Sequence, residues 1–282
     1  MRILTLILPL LFLTACATSK PRVLDYASVE TGAPYGEMQY GIYLPPQWQA
    51  GERLPLILFL HGSGGSHFSL EDHKLNSYLD ELISSGKVPR AIFVMPNGDN
   101  GFWKNWQDGS HHYRQWILER VLPIVQKEYK TLDCPENCHL VGISMGGFGA
   151  LRFAYYVRAL FSSVSSISAP IYSDQQANSQ AKSLLAKLFF PVERIFGASP
   201  EKAYRASNPY NAWVDDQQLK EMRLQLVWGS RDRKSIIEAN QAFASRLTEN
   251  GLKFDKVVYE GSHKWRYWMP LFEQVMNFSL QP

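Results

Sequence analysis

The chain has 282 residues, of which 45% are hydrophobic and 20% charged, and its net charge is +3. This length suits one large domain, or one domain carrying an insertion, and the composition excludes a disordered or fibrous chain. The small net charge and the absence of any Lys/Arg-rich run exclude a phosphate-tracking surface, so no nucleic-acid partner is expected.

The N-terminus reads as an export signal. Met1-Arg2 supplies a positive start, Ile3 to Phe12 is apolar except for Thr5, and Leu13-Thr14-Ala15-Cys16 follows. The apolar run falls well short of the roughly 20 residues that span a bilayer, whereas a charged start, a short apolar core and a small-residue zone make a signal peptide. Leu13-Thr14-Ala15-Cys16 resembles the bacterial lipobox. That resemblance implies cleavage before Cys16 and lipidation of its thiol, with residues 1–15 as signal and 16–35 as a tether rich in Ser, Thr, Pro and Gly. Ala17, with no Asp beside the Cys, resembles the sorting signal of lipoproteins sent to the outer membrane. The expected location is therefore outside the cytoplasm, anchored to a membrane through lipid.

Residues 36–282 alternate apolar and amphipathic segments. Met38–Leu44 reads as a strand, Leu54–Leu60 as a strand buried on both faces, and Leu70–Ser85 as a helix. Ala91–Met95 is a strand ending in the loop signal Pro96-Asn97-Gly98, and Tyr113–Tyr129 is a helix. His139–Ile143 (strand), Phe148–Tyr156 (helix) and Phe161–Ile167 (strand) follow. Arg223–Trp228 (strand), Ile236–Leu247 (helix), Lys256–Tyr259 (strand) and Trp265–Phe278 (helix) complete the pattern. Such alternation predicts an α/β fold, a mostly parallel central sheet with helices on both faces. It lapses between about 170 and 213, a stretch too long for a plain loop. An insertion after a strand C-terminus lies near the ligand face of the sheet, so a cap is expected there. An exported chain can keep disulfides. In Asp133-Cys-Pro-Glu-Asn-Cys-His139, Pro135 disfavours a continuous helix, and a turn brings Cys134 and Cys138 within bonding range. A Cys134–Cys138 disulfide is expected, two reduced thiols being the alternative. With His139 these cysteines leave a zinc site one ligand short.

Gly142-Ile143-Ser144-Met145-Gly146-Gly147 lies between a strand and a helix, the setting of a nucleophile elbow. A serine hydroxyl needs a base within hydrogen-bond reach and a group that orients the base. With the chain order Ser, acid, His, His263 is the only histidine after Ser144. Asp232 follows its strand through Gly229-Ser230-Arg231, which puts it on the C-terminal edge of the sheet. Asp255, Asp215 and Asp216 precede their strands and belong to the opposite edge, and Glu260 is still on its strand. The expected triad is Ser144, Asp232 and His263. An oxyanion needs two fixed donors. One is the N–H of Met145. The other comes from His61-Gly62-Ser63-Gly64-Gly65, with Ser63 the first choice and Gly62 the near alternative. His61 precedes Ser144 and is expected to brace that loop. No Gly-Lys-Ser/Thr follows it, so it does not read as a phosphate loop. Trp103 and Trp106, in the loop after Ala91–Met95, are expected to form a ring wall of the substrate pocket. Neither a metal nor a cofactor is required, and His67, His73, His111 and His112 show no ligand spacing.

These motifs, with Asn208-Pro209-Tyr210 and Gly229-Ser230-Arg231-Asp232, resemble the esterase D / antigen 85-like branch of the α/β-hydrolases. His263-Lys264-Trp265-Arg266-Tyr267-Trp268 is close to the His-Asp-Trp-x-Tyr-Trp ending of that group, with Lys264 replacing the Asp. The resemblance runs from about Met38 to the C-terminus. It implies the α/β-hydrolase fold and agrees with Asp232 as the acid. It also implies an esterase acting on small-molecule or sugar-linked esters, such as the tributyrin esterases, S-formylglutathione hydrolases and feruloyl or acetylxylan esterases. Two other readings stay open: an acyltransferase using the same triad, and a noncatalytic binding lipoprotein.

Overall fold

A computed structural model describes residues 25–32, 36–181, 190–197, 204–205 and 208–281. The expected signal segment, Cys16 and the first part of the tether lie outside the described residues.

Eight strands form one sheet: β1 (Asp25–Glu30), β2 (Glu37–Tyr43), β3 (Leu56–Leu60), β4 (Ile92–Pro96), β5 (Cys138–Ile143), β6 (Ser163–Ile167), β7 (Arg223–Gly229) and β8 (Asp255–Tyr259). Their spatial order is β1-β2-β4-β3-β5-β6-β7-β8. β1 and β2 join by antiparallel pairing and all the others pair in parallel. The expected mostly parallel sheet is therefore present, and it has the α/β-hydrolase pattern.

Strand periodicity divides the core in two. Along β3, Leu56, Leu58 and Leu60 point to one face, with Phe148, Leu151 and Phe153 from the helix Met145–Tyr156. Ile57 and Phe59 point to the other, where Leu75, Leu79 and Leu82 of Leu75–Ser84 and Phe272 and Val275 of Phe272–Ser279 cover them. Because both faces are covered, every residue of β3, β4, β5 and β6 is buried. This matches the unbroken apolar runs of β3 and β4, whereas β6 buries three serines.

Several boundaries differ from the expected ones. Residues 25–30, assigned to the tether, form edge strand β1, with Val29 opposite Met38 and buried. The folded domain thus begins by Asp25 rather than at 36. The helix expected over Leu70–Ser85 is two, Ser69–Asp72 and Leu75–Ser84, because Lys74 between them is left-handed at φ 57°. The helix at Tyr113 passes through a wide turn at Ile117–Val121 before Leu122–Glu128. Pro123 there lacks the N–H that would bond the Glu119 carbonyl. Pro270 likewise divides the C-terminal helix into Trp265–Trp268 and Phe272–Ser279. Cys134 and Cys138 are disulfide-bonded, with Cα atoms 5.1 Å apart.

The insertion has its own helices, Asp174–Ala181, Val192–Phe196 and Pro209–Asp215. Its described parts rest on the loop after β4. Gln107 and Asp108 donate backbone N–H groups to Ile195 and Arg194 carbonyls, and Arg194 pairs with Asp108 at 2.8 Å.

If β1 belongs to the domain, Val29→Ala lowers stability by about 1 kcal/mol, or about 2–4 °C in Tm for a domain of this size. The exposed neighbour change Glu30→Ala leaves Tm unchanged. Thermal unfolding followed by circular dichroism checks both.

Candidate active site

The sharp turn after β5 sets the site. Ser144 has φ 55° and ψ −118°, a conformation that L residues rarely adopt. Its neighbours must be glycine. A Cβ on Gly142 would lie 2.1 Å from the Gly146 carbonyl oxygen, and one on Gly146 would lie 1.9 Å from that of Leu60. Ser144 N–H is tied to the Ile167 carbonyl at 2.7 Å, and the helix Met145–Tyr156 starts at once. The hydroxyl is thereby lifted off the end of the sheet, and the first N–H groups of the helix have no intrahelical acceptor.

The structure brings Ser144, His263 and Asp232 together. His263 Nε2 lies 2.9 Å from Ser144 Oγ, and its Nδ1 lies 2.9 Å from Asp232 Oδ1. The loops bearing Asp232 and His263 are joined through backbone. Ser230 N–H donates to Tyr259 and Arg231 N–H to Gly261, and a Cβ on Gly229 would sit 2.3 Å from the Gly261 oxygen. The Asp232 side chain is fully enclosed. Burial opposes its charge, but the hydrogen bond and charge of His263, the Ser168 hydroxyl and the Arg233 N–H outweigh burial and hold its pKa below the ordinary value. Asp255 opens β8, as edge geometry required, whereas Glu260, expected on the strand, lies just past its end, exposed and paired with Arg231.

A second ring of polar groups backs the acid and base. Trp268 Nε1 donates to Tyr259 Oη at 2.8 Å and to Ser168 Oγ at 3.2 Å, and these two oxygens are 3.0 Å apart. The Trp268 ring meets His263 edge-on at 4.8 Å. One cluster thus touches both Asp232 and His263. Trp268 belongs to the terminal motif, but nothing in the sequence marks Ser168 or Tyr259 as its partners across strands.

The His61–Gly65 loop lies against the nucleophile, since a Cβ on Gly62 would be 3.3 Å from Ser144 Cβ. His61 is buried and both its ring nitrogens are engaged. Nδ1–H donates to the Gly62 carbonyl at 2.8 Å and Nε2 accepts from Gly98 N–H at 3.0 Å. Burial pushes its pKa down to about 4. The neutral ring therefore braces the loop. Gly65 N–H also holds the Gly62 carbonyl, at 3.0 Å, so the trans peptide directs Ser63 N–H the opposite way.

The Trp103 and Trp106 expectation fails. Trp103 is 1% exposed, lies against Gly98 and Gly149, and donates Nε1–H to the His61 carbonyl at 3.2 Å. Its large ring fills the space that those two glycines leave open, so it supports the loop instead of lining a pocket. Trp106 is also buried and bonds the Gly101 carbonyl, with Arg194 over its ring. The aromatic group nearest the elbow is Phe102, Phe148, Phe190, Phe196 and Tyr204. Phe102 meets Phe148, Phe190 and Phe196, and Tyr204 stacks on Phe148. Phe148 is one helical turn beyond Ser144, so the described parts of the insertion reach the site's margin.

The Esterase family model matches residues 31–278. The esterase Rv1288 of Mycobacterium tuberculosis is 26% identical over 261 residues, covering 86% of this chain and 56% of that relative. The chain thus spans little more than half the length of that protein. Among solved structures, a ferulic acid esterase superposes with TM-score 0.75 at 19% identity, covering 91% of this chain and 97% of the other. The S-formylglutathione hydrolase FrmB of Staphylococcus aureus gives TM-score 0.70 at 18% identity, covering 92% and 98%.

Because the fold lowers the Asp232 pKa from 3.8, its contribution to stability is complete above that value and is lost as pH falls through the folded pKa. Asp232→Asn should therefore lose stability less steeply between pH 5 and 3 than the parent, measured by urea unfolding at each pH. Ser168→Ala removes a hydroxyl that favours the charged form of Asp232. It should lower kcat on an activated ester by about 3–10-fold with little change in KM.

Proposed function

Because the chain belongs to the Esterase family of carboxylic ester hydrolases, we propose that Ser144 is its nucleophile, His263 the base and Asp232 the orienting acid. The observation that carries this is the continuous path from Ser144 Oγ through both nitrogens of His263 to Asp232, at 2.9 Å per link, on a strained elbow.

In this reading Ser144 Oγ attacks the ester carbonyl while His263 Nε2 takes its proton. Asp232 holds Nδ1–H and stabilises the imidazolium. The N–H groups of Met145 and Ser63 receive the oxyanion, and each such donor contributes about 3–4 kcal/mol to the transition state. Collapse expels the alcohol with the proton from His263 and leaves an acyl-enzyme on Ser144. Water, deprotonated by His263, then releases the acid. The substrates are small-molecule or sugar-linked esters whose acyl or ring portion lies along the partly exposed Phe102. The ferulic acid esterase resemblance supports an aromatic or short acyl group. Hydrolysis and acyl transfer share the first half of this mechanism, and product analysis with a sugar alcohol present separates them.

The lipobox supports a mature protein that begins at Cys16, held by lipid to the outer membrane. No helix among the described residues is long and apolar enough to cross a membrane. The alternative location is free secretion, in which Cys16 carries no lipid.

Ser144→Ala should lower turnover of p-nitrophenyl butyrate by about 10⁵–10⁶-fold and abolish labelling by a fluorophosphonate probe. Undiminished turnover would sink the assignment. Cys16→Ala should move the exported protein from the detergent phase to the aqueous phase of a Triton X-114 partition. Equal partition of both forms refutes the anchor.

A further inference from the structure

The helix that begins at the nucleophile carries a second chemical feature that ester hydrolysis does not use. Along one side of it lie Phe148, Arg152 and Tyr156, at helical spacing from Ser144. Arg152 is 2% exposed, and two of its nitrogens, Nε and Nη1, have no hydrogen-bond partner. Lys104, in the loop after β4, is 8% exposed and lies over the Phe196 ring at 4.6 Å. Arg114 stacks on Tyr156 at 3.9 Å.

Arg114 and Arg152 lie over the same Tyr156 ring, and Lys104 is close enough to feel both charges. Burial, then Arg152 and Arg114, pull the Lys104 pKa down to about 7. Among the described residues no carboxylate pairs with any of them. Unpaired buried cations are costly, and one buried guanidinium with open donors is costlier still. Arginine presents its donors as a planar fork that fits a carboxylate or phosphate. The aromatic rings partly offset the charges but accept no hydrogen bond from Nε or Nη1 of Arg152. The Tyr156 hydroxyl bonds Arg152 and Arg114, whose charges outweigh burial and hold its pKa below the ordinary value, but Nε and Nη1 of Arg152 stay open to a further oxyanion. Arg114 and Tyr156 are only partly buried, which leaves one side through which an ion can enter.

The geometry points to an anion site formed by Lys104, Arg114 and Arg152, taking the carboxylate or phosphate of a small ligand. Arg152 lies eight residues beyond Ser144, about 12 Å along the helix axis. The anion is therefore either a free ion bound beside the insertion or the charged far end of an ester held at Ser144. Binding itself does not depend on the esterase reading; only the second source rests on it.

The test uses the whole mature chain with inorganic phosphate and suberate as probes, against chloride at equal ionic strength. Phosphate should raise Tm saturably, by about 5–10 °C at 100 times Kd. Lys104→Met should raise the phosphate Kd about 10–100-fold. No saturable response above chloride in the parent protein overturns the site, as does equal phosphate binding by Lys104→Met. If Lys104→Met fails to fold, ³¹P line broadening by the parent protein, competed by suberate and not by chloride, gives the same decision. To separate the two sources, the p-nitrophenyl monoester of suberic acid is compared with its methyl-capped analogue. A substrate end at the site raises the kcat/KM ratio of charged over neutral ester about tenfold or more, and the ratio falls to near one in Lys104→Met. A ratio near one in the parent, with phosphate binding intact, assigns the site to a free ion. Loss of hydrolysis of both esters would instead refute the esterase reading and leave the phosphate result standing.

Discussion

Gly146 lies so close to the Leu60 carbonyl that any side chain there would overlap it. This one approach sets the distance between the end of β3 and the start of the helix Met145–Tyr156. The His61–Gly65 loop grows from the first and the nucleophile from the second, so both are indexed to the same contact. The strained φ of Ser144 persists because strand, helix and loop over-determine it. The strain energy is offset by the packing of β3, β5 and β6 on both faces. A looser core would let the turn relax and carry the hydroxyl away from His263.

The same reasoning shows what was legible in the sequence. The central strands Leu56–Leu60 and Ile92–Pro96 were readable because burial on both faces forces unbroken apolar runs. Ser144, His263 and Asp232 were readable because chain order and sheet edge restrict the choices, and the structure does bring the three within hydrogen-bond reach. β1 was not readable, because an edge strand with one buried side chain, Val29, carries little periodic signal among polar neighbours. Trp103 misled for a physical reason. An aromatic in a loop at the ligand edge suggests a pocket wall, but the glycines at 98 and 149 are distant in sequence and only the fold reveals that they make room for its ring. The Ser168–Tyr259–Trp268 cluster was hidden likewise, because its members come from three separate elements.

The site also shows how charge is handled differently in two neighbouring places. Asp232 is buried and its Oδ2 has no partner, but His263 and the Arg233 N–H at Oδ1, with the nearby Ser168 hydroxyl, outweigh burial and keep it ionised. Lys104 and Arg152 are buried against rings and each other, and Arg152 retains open donors. The enclosure is similar in both places, and the sign of the neighbouring charge makes the difference: His263 faces Asp232, whereas Lys104 feels two guanidinium groups. A carboxylate that is to orient an imidazolium must stay charged and fixed. A cationic cluster with unfilled donors is suited to a charge that arrives and leaves.

Finally, the three hydrolytic residues are unequally distributed along the chain. Ser144 stands at the middle of the sheet, whereas Asp232 and His263 follow β7 and β8, its last two strands. Until β7 pairs with β6 and β8 with β7, the serine hydroxyl has no base and is an ordinary alcohol. A chain synthesised N-terminus first therefore presents Ser144 ahead of Asp232 and His263. Such a topology acts as an assembly lock. On the proposed assignment, activity arises only when the final stretch of polypeptide has docked, and a partly folded or truncated product is chemically silent.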